Sequence, residues 1–276
     1  MSDITLIDDS EQSSLVTNGL AKNGELYLKK EGSTDAGSIV VYDSGAWKTF
    51  ANEASAGFSN TYSMDFDGTN DYVELTAAPS TDFNFGTGEF GLSMWVNAIN
   101  GFNGTYCGVL GNYNSAASSW QVFVGTAGLR VWNGALYGGG SLSTNTWYHL
   151  VVERTSGVLK TYINGSQNTS NNVTSSYAPA TNSSTCIGGY PANRAQPRWK
   201  GLIDEVAIFS SGLSASDVTD MYNSGVPTDI SSLNPIGYWR MGDNDGGTGT
   251  TITDQGSAGN NGTVINGPTF STNVPS

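Results

Sequence analysis

Apolar and polar positions along this chain alternate over short stretches, and breaks rich in glycine, asparagine and serine separate one stretch from the next. Leu92, Met94 and Val96 fall on one side of FGLSMWVNA, and Leu150 and Val152 are followed by Glu153 and Arg154 in WYHLVVERT. A period of two is the signature of a strand with one buried face. Between Phe58 and Gly225 the same reading gives YSMDF, YVEL, YCGVLGN, SWQVFVG, GLRVWNG, VLKTYING, STCIGGY and GLIDEVAIF as further strands. Many short strands with no long helices between them predict an all-β fold, an antiparallel jelly-roll sandwich. One helix is signalled. Ser214 caps it, Asp217 completes a capping box, Val218, Met221 and Tyr222 form its apolar face, and Gly225 stops it. It is expected to pack on the end of the sandwich.

The flanks read differently. Residues 1–24 are polar and predict an extended or partner-ordered arm, followed from Glu25 by a small meander (ELYLKK, GSIVVYDS, GAWKTF) and a linker over 51–57. The expected domains are an N-terminal attachment arm and β module (1–57), the jelly roll (58–230) and a C-terminal β extension (231–276). The extension holds IGYWRM, the acidic glycine loop DNDGGTGTTITD and NNGTVINGP.

Composition narrows the function. Of 276 residues, 37% are hydrophobic, enough for a core, while only 13% are charged and 36 are glycine. That is the make-up of a turn-rich β protein with a neutral, polar surface. The net charge of −13 repels phosphate backbones, so nucleic-acid binding is not expected. No run of about 18 apolar residues predicts a membrane span. The start MSDITLIDDSEQ shows neither the basic nor the apolar region of a secretory signal. The two cysteines, Cys107 and Cys186, are too few for a disulfide framework and read as buried apolar side chains, with a single bridge as the alternative.

Two acidic phrases, FDGTNDYVEL and KGLIDEVAIF, place carboxylates and a glycine turn beside short strands. Calcium takes six to eight oxygen ligands on a flexible loop, and Asp67, Asn70, Asp71 and Asp204 offer them. Strand alternation sends Asp204 and Glu205 to opposite faces, which favours Asp204 as the ligand. The alternative is an Asx turn with a surface acid, which needs no metal. Catalysis has little support. The single histidine, His149, lies in a strand with no GxSxG or HExxH motif, and no pair of carboxylates is marked for glycoside hydrolysis. Aromatic rings beside Gly/Asn-rich loops, namely Trp120, Trp132, Tyr137, Tyr190 and Trp199, are candidates for stacking on sugars. Trp95 and Trp147 lie in strong strand patterns and are assigned to the core.

The succession FDGTNDYVEL, WYHLVVERTSGVLKTYINGS and CIGG…GLIDEVAIFSSGLSASDVTDMY resembles the laminin-G-like domain of the concanavalin A-like jelly rolls. The resemblance implies two curved antiparallel sheets, a carbohydrate- or protein-binding role and often one calcium ion. The acids of the FDG and IDE phrases are its usual candidate ligands. The ExDxxE strand of the related glucanases does not occur, so no enzyme activity is expected. The segment GELYLKK…GSIVVYDSGAWKTF is similar to small β modules of phage tail and fibre proteins. The C-terminal GYWRMGDNDGG…ITDQGSAGNNGT resembles a segment beside laminin-G-like domains in phage virions, and also the opening of another such domain. These resemblances imply a phage virion structural protein, a capsid decoration or fibre. It would be assembled in the host cytoplasm and displayed on the virion surface. Residues 1–57 would hold it to capsid or tail proteins, as a homo-oligomer, with a cell-surface glycan as a further partner. The alternative is a bacterial carbohydrate-binding module associated with polysaccharide degradation.

Overall fold

In a computed structural model of the chain, the described parts are four N-terminal strands and residues 58–75, 82–113, 119–177, 184–190 and 197–276. The chain separates into two compact units, Met1–Phe58 and Ser59–Ser276. The first holds β1 (Thr5–Ile7), β2 (Leu26–Lys29), β3 (Ile39–Asp43) and β4 (Ala46–Phe50) in that order in one sheet. β2, β3 and β4 form the expected meander, and β1 joins β2 in parallel. The rest of the arm and the linker 51–57 lie outside the described residues.

The second unit is a sandwich of two antiparallel sheets. Its strands are β5 (Ser63–Asp67), β6 (Tyr72–Leu75), β7 (Phe90–Ala98), β8 (Cys107–Gly111), β9 (Gln121–Gly125), β10 (Gly128–Trp132), β11 (Leu136–Tyr137) and β12 (Tyr148–Thr155). They continue with β13 (Val158–Ile163), β14 (Ser166–Asn172), β15 (Thr185–Ile187), β16 (Lys200–Phe209), β17 (Gly237–Trp239), β18 (Thr251–Ile252), β19 (Gly262–Ile265) and β20 (Thr269–Ser271). The front sheet has the order β11-β10-β9-β8-β15-β6-β19-β18, and the back sheet β14-β13-β12-β7-β16-β5-β20, with β17 also paired to β16.

The core between the sheets is what the alternation predicts. Leu92, Met94 and Val96 of β7 and Leu150 and Val152 of β12 meet Val122 and Val124 of β9 and Leu129 and Val131 of β10. Each such side chain, fully buried, contributes about 1.5–3 kcal/mol. Residues 231–276, expected as an extension, are instead part of this unit. β19 pairs with β6, β20 pairs with β5, and Trp239, Met241 and Ile252 enter the core.

Helix α1 (Ala215–Tyr222) begins at Ser214 with the expected capping box. Its stop differs. Asn223, left-handed at φ 41°, closes it before Gly225 is reached, because asparagine tolerates that conformation. The helix lies on the outer face of the back sheet, not on the end of the sandwich. There Val218 and Met221 pack with Val151, Tyr162, Phe209 and Tyr238. Both cysteines are buried and free.

Candidate functional site

On the front sheet the residues between core positions point away from the helix-bearing side. Leu129 and Val131 are core, so Arg130 and Trp132 of β10 face outward. Phe123 stands opposite Arg130, and Trp132 stands between Gln121 of β9 and Leu136 of β11. Tyr106, one residue before core Cys107, has its ring 5.9 Å from that of Phe123. Tyr113 bridges the group, at 5.8 Å from Phe123, 5.9 Å from Trp132 and 6.0 Å from Tyr190. Edge-on and tilted pairs at this spacing suit the aromatic quadrupole. Tyr190 forms the floor. It lies so close over Gly108 that a Cβ there would stand 2.7 Å from its Cζ. Arg198 Nη1 donates to the Tyr190 carbonyl (2.8 Å) while its guanidinium lies 5.1 Å from the centre of the Tyr72 ring. Tyr106 and Leu136, 36% and 41% exposed, are two of the three exposed large hydrophobic residues among those described, and both border this face. The Trp132 Nε1 atom is buried beneath this face and has no hydrogen-bond partner among the described residues.

The back sheet gathers charge. β16 shifts register against β7 between Asp204 and Ala207, and Glu205 at φ 45° takes the left-handed region. Such a bulge re-aims side chains. Asp204 and Glu205 therefore do not diverge, as alternation predicts, but converge with Asp243, their carboxylate oxygens within 4.8 Å of one another. Arg240 answers them, with Nε on Glu205 Oε1 (2.9 Å) and Nη2 on Asp243 Oδ2 (3.4 Å) and the Ser59 carbonyl (2.7 Å). The Tyr238 hydroxyl donates to Glu205, and Asn60 Nδ2 to Asp204 Oδ2 (2.9 Å). Asp243 Oδ1 accepts from the amides of Thr61 and Tyr62 at 2.8 and 3.2 Å. Burial pushes the Glu205 carboxyl up to about 7 against the pull of Arg240, and burial beside Glu205 holds Asp204 well above its ordinary value. This cluster is a clasp. It ties residues 59–62, where the chain enters the sandwich, to β16 and to residues 238–243.

The family described as the concanavalin A-like lectin/glucanases superfamily matches residues 67–219, more than half of the chain. The chain belongs to this superfamily. Among solved structures, a Bacteroides ovatus protein named for carbohydrate binding is similar at 20% identity, with 92% of this chain and 71% of that one covered and a TM-score of 0.62. At that identity the likeness is one of fold. Two others are more distant. Domain 4 of a GH43 extracellular arabinanase from Geobacillus stearothermophilus, in complex with arabinotriose, has 18% identity, 75% and 95% coverage and a TM-score of 0.45. A heptameric pentraxin from Limulus polyphemus has 14% identity, 59% and 82% coverage and a TM-score of 0.44. No curated protein matches.

For a member of this superfamily, the calcium ligands expected from the sequence do not form one site. Lys200 pairs with Asp67 and Ile203 with Met64, so Asp204 lies four residues along β5 from Asp67, about 13 Å at the rise of a strand. Asp67 and Asp71 share the glycine turn, but as a turn lock. Asp67 Oδ1 accepts from Thr69 N (2.6 Å), Asp71 Oδ2 accepts from Asp67 N (3.1 Å), and Asn70 stands exposed between them. Asp204 belongs to the clasp, where the cation is a guanidinium. The donor set does not fit a single calcium ion.

Of the five aromatic candidates, only Trp132 reaches the outer face with an accessible ring. Trp120 and Trp199 are core residues whose indoles donate to the carbonyls of Phe83 and Leu202, both at 3.2 Å. Tyr137 stands opposite core Val131 and leans inward, and Tyr190 is buried as the floor. Trp95 is buried outside the main core, in a three-ring group with His149 (4.9 Å) and Tyr222 (6.0 Å) under α1. Trp147 is half-buried and bonded to Asn273 (3.2 Å). Sequence reasoning missed Tyr106, Tyr113, Phe123 and Arg130. For two of them the signal was present, since Arg130 and Phe123 alternate with strong core residues.

His149 donates to or accepts from Ser93 Oγ through Nε2 (2.9 Å), and burial pushes its pKa down to about 3, so the ring is neutral. A groove of about 750 Å³ runs along α1, with Asp220 and Asp229 in its lining. Its only ring, Tyr222, is taken up in stacking on Trp95 and His149.

Proposed function

We propose that the sandwich is a non-catalytic carbohydrate-binding module and that its ligand lies on the front sheet over Trp132, Tyr113 and Tyr106. The observation that carries this reading is the group of rings left accessible on the front sheet, Tyr106, Tyr113 and Trp132, packed edge to edge beside Arg130. Rings bind the apolar faces of pyranoses, while N–H and amide groups satisfy hydroxyls. A non-catalytic role is supported by where the acids stand. On the back sheet Glu205 and Asp243 are bound to Arg240, Glu205 also accepts from Tyr238, Asp204 accepts from Asn60, and His149 is sealed beneath α1. A glycan array tests the reading. Trp132→Ala is expected to weaken the best ligand about thirtyfold, as a central aromatic anchor does. Binding unchanged in that variant would overturn it.

The finer proposal is display on a phage virion, with the unit Met1–Phe58 as the attachment piece to capsid or tail proteins and the module facing outward. Its support is the resemblance of the flanks and the division into two compact units. The same module serves equally well in polysaccharide degradation. Incorporation into purified particles, abolished by deleting residues 1–57, is the outcome expected for the virion role. Co-purification with polysaccharide-degrading enzymes instead would reject it.

A further inference from the structure

The arginines of the sandwich are unequally committed. Arg154 donates to the carbonyls of Gly86, Ser175 and Val173, Arg198 is held by Tyr190 and Tyr72, and Arg240 answers Glu205 and Asp243. Arg130 is different. Its one hydrogen bond runs from Nη1 to the carbonyl of Leu129 (3.0 Å), and among the described residues it has no ion pair. The rest of its guanidinium fork is left with donors to spare. It stands two residues from Trp132 on the same face of β10, about 7 Å along the strand. Across from it is Phe123, at the centre of the ring group.

From this juxtaposition we infer that the front face takes an acidic saccharide, a pyranose carrying a carboxylate or sulfate. Its apolar face lies on Trp132 and Tyr113, and its anionic group lies on Arg130. The inference rests on the carbohydrate reading above and deepens it. Guanidinium matches carboxylate and sulfate in a two-pronged, charge-assisted geometry that a neutral hydroxyl cannot use. A guanidinium with donors to spare on a chain of net charge −13 fits an isolated acidic group and not a dense polyanion, which the remaining charge repels.

The test is an array of matched oligosaccharides with the full chain at 0.15 M salt, where distant acids are screened beyond about 8 Å. Its pairs are glucose and glucuronate, galactose and galacturonate, and galactose with and without sulfate. The expected result is at least about tenfold tighter binding to acidic members. Arg130→Gln is expected to remove that preference while leaving weak binding to neutral members, and Trp132→Ala to weaken both. The carboxylated and sulfated arms identify the anion. Equal binding to acidic and neutral members, or a preference kept in Arg130→Gln, overturns the acidic ligand and leaves the carbohydrate reading standing. No binding to any member overturns both. A circular dichroism spectrum and melting curve matching the parent confirm that each variant is folded.

Discussion

The two outer faces of the sandwich are built from the same kind of strand yet end in opposite states. On the back sheet Val151, Tyr162, Phe209 and Tyr238 are covered by Val218 and Met221 of α1, and the acids beside them are bound to Arg240 and Tyr238. On the front sheet, among the described residues, Tyr106, Tyr113, Trp132 and Leu136 have no helix over them and Arg130 has no acid. What separates the faces is therefore not apolar content but whether the chain supplies its own cover. An uncovered, ring-rich face beside a spare cation is poised for a partner; a covered one is structural.

The largest test of that contrast is stability. Met221→Ala empties a buried site under α1 and is expected to cost about 2–5 kcal/mol in urea unfolding. Trp132→Ala on the open face is expected to cost less than about 1 kcal/mol, because its ring is only partly enclosed. Equal losses would erase the distinction.

A smaller effect is in the pH dependence of the covered face. His149 has a folded pKa near 3 against 6.5 when unfolded, so the unfolded chain takes up a proton first. Its contribution falls by about 1.4 kcal/mol per pH unit as pH drops from 6.5 toward 3. Glu205, raised from 4.5 to about 7, acts with the opposite sign. Its contribution is complete below 4.5 and is lost as pH rises through 7, so the two effects oppose each other between 6.5 and 4.5. Below that window the histidine acts without this offset. The stability gap between the parent and His149→Gln should therefore shrink steadily from pH 6.5 to 4 in melting experiments. A constant gap would mean that the imidazole is not held neutral.

The smallest expected effect concerns the clasp. With Arg240 already on Glu205 and Asp243, adding millimolar calcium or removing it with a chelator is expected to move the Tm by less than about 1 °C. A larger shift, abolished in Asp243→Asn, would show that the ion displaces the guanidinium.

The strands and the helix start were legible because they depend on local chemistry. The spacing of Leu92, Met94 and Val96 and the Ser214–Asp217 box each carry their own structural consequence. The site was legible only in part. Trp120 and Trp199 adjoin loop-like sequence, yet both indoles turn into the core and find carbonyl partners there, which depends on tertiary packing. The Asp204–Glu205 pair was misread because the period of two fails at a bulge, and nothing in LIDEVAIF marks one. The role of residues 231–276 was hidden for a related reason. Their partners, β5 and β6, lie near the other end of the sandwich sequence, beyond the reach of any local pattern.

That last pairing has a mechanical consequence. Ser63, at the start of β5, is paired with Ser271, at the end of β20, and its hydroxyl donates to the Asn273 carbonyl (2.8 Å). The sandwich is thus entered and left at neighbouring points. Tension applied between those points would peel two strands apart bond by bond, the weakest direction for a ladder. A load arriving from the first unit alone is resisted differently. It reaches the bonds of Arg240, Asp204 and Asp243 to residues 59–62 first, and they spread it into β16, an interior strand of the back sheet. The fold is built to be towed from one side, or grafted whole into a surface loop of another protein, but not to be stretched between its ends.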